Sequence, residues 1–130
     1  MSNIIIGIGA VSAFLSVSAG AFGAHALKQV LDTDMQTVYQ TAVEYQFFHA
    51  IGLLVIGALD KTTPRRCHRL AAWAMLAGTV LFSGSLYILS TTGIKWLGMI
   101  TPIGGLGFLA AWLILAAGYL TGGRNSEHGS

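Results

Sequence analysis

Four long apolar stretches constrain this chain more than any motif does. Residues 3–24, 42–59, 69–91 and 97–120 carry almost no charge, and a helix rising about 1.5 Å per residue needs roughly 20 residues to cross about 30 Å of hydrocarbon. Lipid offers the backbone no hydrogen-bond partner, so a span of this length must satisfy its own N–H and C=O groups, as an α-helix does. The predicted fold class is therefore all-α, an integral membrane four-helix bundle with a short amphipathic helix between helices 1 and 2. It forms a single domain over 1–121, followed by a disordered tail at 122–130. Composition agrees: 54% of residues are hydrophobic and 9% charged, against about 25% charged in soluble domains.

Several function classes fall away at this stage. The net charge of +2 is small and scattered, so nucleic acid is not an expected partner. A single cysteine, Cys67, excludes an intrachain disulfide framework. No dinucleotide-binding, phosphate-loop or zinc spacing occurs, and no cofactor is expected. The apolar run at 4–24 lacks a basic segment before it and is long for a signal peptide, so it reads as an uncleaved first span.

Basic residues orient the bundle. Lys61, Arg65, Arg66 and Arg69 supply four of the seven Lys and Arg residues, and short loops rich in them stay on the cytoplasmic side. The expectation is a multi-pass protein of the bacterial inner membrane with both termini cytoplasmic. Ser12, Ser16, Gly20 and Ala24 recur every four residues in helix 1, a small-residue seam for close packing against a helix of the same chain or of another subunit. From Leu27 to Tyr39 apolar and polar residues alternate with helical period. Thr33 with Gln36 matches a capping box, so a new helix is expected to start near Thr33 and to run through the second span to about Leu59. Thr63-Pro64 is read as the cap and first position of helix 3, Gly93 as its left-handed end, and Thr101-Pro102 as the start of helix 4.

Polar residues in the spans are the candidates for chemistry, because ionisable groups in lipid are costly. His25, Glu44, Tyr45, His49, Ser83, Ser85, Tyr87 and Thr101 all fall in the half of the bundle away from the basic loop, and together they predict one outward-facing polar pocket above a sealed hydrocarbon half. Tyr45 and His49 share a helical face at i, i+4, so the phenol is expected to bond the imidazole. Haem ligation by His25 and His49 is disfavoured because the two sit at different depths. No nucleophile has a base at recognisable spacing, and an enzyme is not expected.

The segments Gly20-Ala-Phe-Gly-Ala-His25, Tyr39, Ala42, Tyr45, His49-Ala50, Leu81-Phe-Ser-Gly-Ser-Leu-Tyr87 and Thr101-Pro-Ile-Gly-Gly105 resemble the small bacterial inner-membrane proteins of the YgdD/YwdK type. That family of unknown function is itself similar to a small eukaryotic transmembrane protein. The resemblance covers residues 4–120 and implies a four-helix integral membrane protein, with no activity or cofactor to carry over. Some members have His at the position of Gln46, which weakens any metal site built there. The expected partners are the lipid bilayer and either further copies of the chain or a larger membrane complex; the rival expectation is a small-solute or proton binding or transport protein.

Overall fold

A computed structural model describes residues 1–128, with side chains described as far as Thr121. It holds four helices long and apolar enough to cross a membrane: α1 (Ser2–Phe22), α2 (Thr33–Thr62), α3 (Arg66–Thr92) and α4 (Thr101–His128). A π-helical turn, Gly23–Leu27, closes α1, and a 3-10 turn, Lys95–Met99, leads into α4. The expected bundle is present, and α4 starts at Thr101 with Pro102 in its first turn, where a missing N–H costs nothing. Gly93 ends α3 at φ 75, the left-handed conformation that glycine adopts without a Cβ clash.

Four details differ from the sequence reading. The amphipathic stretch is not a separate helix: Leu27 closes the π turn and Thr33 to Tyr39 form the first turns of α2. The cap of α2 is Asp32, whose carboxylate accepts the Met35 N–H, while the Gln36 amide donates to the Lys28 and Leu31 carbonyls instead of closing a capping box. A carboxylate at that end of a helix also meets the helix dipole favourably, which a threonine does not. Thr63 ends α2, which runs past Leu59 to Thr62, and Arg65 precedes α3, which starts two residues later than the Thr63-Pro64 pair suggested. Finally, α4 continues through residues 122–128, within the stretch expected to be a disordered tail, and residues 129–130 lie outside the described residues.

Packing follows chain order, α1 on α2, α2 on α3 and α3 on α4. Glycines set the approach distances. A Cβ on Gly9 would lie 3.1 Å from the Ala50 carbonyl oxygen, and one on Gly107 would lie 3.1 Å from the Gly78 Cα. One on Gly104 would collide with the Phe82 backbone. The small-residue seam of α1 faces α2 within the same chain: Ser12 and Ser16 are buried, and a Cβ on Gly20 would meet Val43 at 3.3 Å. At the end carrying the α2–α3 connector, Ile5, Leu53, Ile56, Ala71, Ala72, Met75 and Ala111 form an apolar core drawn from all four helices.

Because α1 and α3 each pack on α2 but not along one another, a groove is left between them. Two adjoining stretches of about 550 and 480 Å³ share Leu15, Gln46, Thr79 and Val80 in their lining. Gly7 borders one and Gly84 the other, and neither has any atom within 4 Å of where a Cβ would stand.

Candidate functional site

The eight candidate residues do not line one pocket. They separate onto different helix faces, since positions one or two apart on a helix point about 100–200° apart. His25 is exposed on the π-helical turn and Glu44 is exposed on α2. His49 is buried, 5% exposed, on the face of α2 turned to α3 and α4. Its Nδ1–H donates to the Tyr45 carbonyl at 2.8 Å, its Nε2 accepts the Trp112 indole N–H at 3.1 Å, and its ring stacks on Phe108 at 3.5 Å. Both ring nitrogens are thus engaged, leaving none to bind haem or a metal. The expected phenol contact is replaced by the Tyr45 carbonyl, because helical side chains lean towards the preceding turn. The Tyr45 ring instead packs on Phe82, 4.7 Å between centroids.

The hydroxyls of α3 serve as helix-to-helix bonds. Ser83 donates to the Ala42 carbonyl of α2 at 2.8 Å, and Ser85 and Thr101 share a bond of 2.6 Å between α3 and α4. Tyr87 donates to the Gln46 amide oxygen at 2.6 Å, and the Gln46 amide nitrogen reaches the Ser12 carbonyl at 3.3 Å. Gln46 therefore ties α1, α2 and α3 at the floor of the groove. Ser16 to the Val43 carbonyl and Tyr39 to the Ala19 carbonyl complete the α1–α2 seam. Among the described residues no buried side-chain nitrogen or oxygen lacks a partner, the arrangement that lipid demands of polar groups.

A second polar cluster lies in the basic connector and the helix ends beside it, where the sequence offered no candidate site. At the connector end, Asp60 Oδ1 accepts from the Arg65 backbone N–H and from His68 Nδ1, both at 3.1 Å. His68 Nε2 meets the Tyr119 hydroxyl at 2.7 Å, and His68 is fully buried. The Arg65 guanidinium donates to the Gly118 carbonyl at 2.9 Å and lies 4.7 Å above the Tyr119 ring. The cluster joins the ends of α2, α3 and α4. Its available signal was a lone acid, Asp60, beside a basic loop that also contains His68; the pairing with Tyr119, 51 residues away, has no local signature.

A third polar region is the open cavity of about 510 Å³ between the π-helical turn and the first turns of α2, to which Glu44 contributes alone among the eight candidates. Among the described residues no three His, Cys, Asp or Glu side chains are grouped as metal ligands would be.

Four helices long and apolar enough to cross a membrane, packed in chain order with the buried polar side chains among the described residues paired, mark an integral membrane protein. Residues 19–105 match the model of a protein family of unknown function, DUF423. The chain is 47% identical over 113 residues to the UPF0382 membrane protein SH2409 of Staphylococcus haemolyticus, covering 87% of this chain and 92% of the relative. It is 46% identical over 114 residues to the UPF0382 membrane protein YwdK of Bacillus subtilis, covering 87% and 93%. The chain belongs to this DUF423 family of bacterial membrane proteins, in agreement with the resemblance read from its motifs. No solved structure matches it.

Proposed function

We propose that the protein acts by association within the bilayer, as a homo-oligomer, with no chemical step of its own. The observation that carries this reading is the α1/α3 groove, where Gly7 and Gly84 border open space. Glycine costs a helix about 1 kcal/mol relative to alanine, and inside the bundle the other seam glycines offset that cost by close packing. Gly7 and Gly84 have no such partner within the chain, so their use fits a backbone arriving from outside. A second copy is the occupant that supplies one. A two-fold axis along the membrane normal sets identical helices side by side at equal depth, and the exposed ridge of Val11, Phe14 and Leu15 on α1 is apolar. The groove floor asks for nothing more polar, since Gln46, Tyr87 and Ser83 are already bonded.

The same reading places the basic connector and both termini on the cytoplasmic side of the inner membrane. Native mass spectrometry of detergent-purified protein, with cysteine cross-linking across α1 in membranes, tests the association. Gly7→Leu and Gly84→Leu should leave the helical content and monomer stability intact, because the space is empty, and should abolish the dimer. A wild-type chain that is monomeric in both settings, or variants that dimerise normally, would overturn the proposal.

A further inference from the structure

The open cavity at the end opposite the basic connector carries an inference that is independent of oligomeric state. At about 510 Å³ it lies within the range of small-molecule sites, roughly 300–1,000 Å³. Its lining includes one cation, Lys28, and one carboxylate, Glu44. Neither forms an ion pair among the described residues, where the single pair is His68 with Asp60. A carboxylate on the exposed face of a membrane helix is costly unless water or a cation reaches it, and this cavity provides that access.

The wall between the two charges is rich in acceptors, and its one donor near Glu44, the Gln40 amide, reaches Glu44 Oε1 at 3.4 Å and leaves the other carboxylate oxygen open. The Thr37 and Thr41 hydroxyls, both lining the cavity, donate their hydrogens to the carbonyls one turn back, at 3.1 and 2.9 Å. Their oxygens retain lone pairs for a ligand. The Gln36 amide nitrogen is spent on the Lys28 and Leu31 carbonyls, which pins Lys28 at the level of Gln36. Glu44 stands eight residues further along α2, about 12 Å at the helical rise. No aromatic side chain lines the cavity, so it lacks the cage that recognises quaternary ammonium groups. Acceptors and a carboxylate suit a primary ammonium, which brings N–H donors.

We propose that this cavity binds a zwitterion in which a primary ammonium meets Glu44 and Thr41 while an anionic group meets Lys28. Phosphoethanolamine has this chemistry and can come from two sources, a lipid head group or the free compound. Both reach the cavity: α2 has 30 residues, about 45 Å, and exceeds about 30 Å of hydrocarbon by some 15 Å, so its first turns stand in the head-group layer. The charge order, with the cation nearer the water and the carboxylate deeper, fits a soluble zwitterion entering ammonium first.

The test uses the full chain, purified and stripped of lipid. Free phosphoethanolamine is titrated by calorimetry, and retention of phosphatidylethanolamine and phosphatidylcholine is compared by native mass spectrometry. Binding of the free compound supports the soluble source; preferential retention of phosphatidylethanolamine alone supports the lipid source. In either case Lys28→Gln and Glu44→Gln should each weaken binding about tenfold, the scale of a lost charge-assisted bond, and Lys95→Gln, outside the cavity, should not. Both cavity side chains are exposed, so the variants are expected to fold, and unchanged circular dichroism confirms it. No binding of the free compound together with equal retention of the two lipids overturns the proposal, as does binding unaltered in both variants.

Discussion

Removal of the Asp60 carboxylate should loosen the connector end of the bundle by an amount that the geometry sets. In Asp60→Ala two donors lose their acceptor at once, the Arg65 backbone N–H and His68 Nδ1. Arg65 is partly exposed and can turn to water, but His68 is fully buried. An unsatisfied buried donor costs about 1–3 kcal/mol and a lost bond about 0.5–1.5 kcal/mol more, so the expected destabilisation is roughly 1.5–4.5 kcal/mol. Asp60→Asn keeps a neutral acceptor oxygen for both donors and should cost under about 1.5 kcal/mol, the charge-assisted part alone. Tyr119→Phe removes only the hydroxyl from His68 Nε2 and should cost about 1 kcal/mol, near the range of membrane hydrogen bonds. The double variant Asp60→Ala with Tyr119→Phe should cost less than the sum, because His68 joins the two partners and is already released when Asp60 is gone. Reversible unfolding in mixed detergent and dodecyl sulfate micelles, followed by far-ultraviolet circular dichroism, measures all four. A loss below about 0.5 kcal/mol for Asp60→Ala, or strict additivity, would refute the idea that the cluster acts as one unit.

Gly104→Ala should destabilise by about 1–3 kcal/mol in the same unfolding assay, since its Cβ would strike the Phe82 backbone, whereas Gly84→Ala should be neutral or slightly stabilising because its Cβ enters open space. In a Cys67→Ser background, a cysteine replacing Glu44 should react with a small water-soluble thiol reagent and one replacing His49 should not, as the first position is exposed and the second buried; labelling at 49 would contradict the packing of His49 between Tyr45, Phe108 and Trp112. For orientation, a reporter active only outside the cytoplasm should be silent when fused after Ser130 and active when inserted between Thr92 and Lys95; activity after Ser130 would reverse the proposed topology.

Element identity was legible in the sequence because the bilayer imposes a one-dimensional test. An apolar run of sufficient length must be helical, whatever packs beside it, and Gly93 and Pro102 mark ends by backbone restrictions that belong to single residues. The caps were less legible, since Asp32, Thr33 and Thr63 all carry side chains able to cap and the winner depends on where the neighbouring chain turns. The polar groups were recognised as exceptional, yet depth along a helix axis does not say which way a side chain points. His49 and Gln46 lie three residues apart and differ in partner: one is held by Trp112 of α4, the other by Tyr87 of α3 and Ser12 of α1. Those assignments rest on helix rotation and approach, which are decided by how small residues such as Gly9, Gly104 and Gly107 let helices close on each other. The Asp60, His68 and Tyr119 cluster is the clearest case, because its members come from three helices and acquire their chemistry only when the packed bundle brings them together and buries Asp60 and His68.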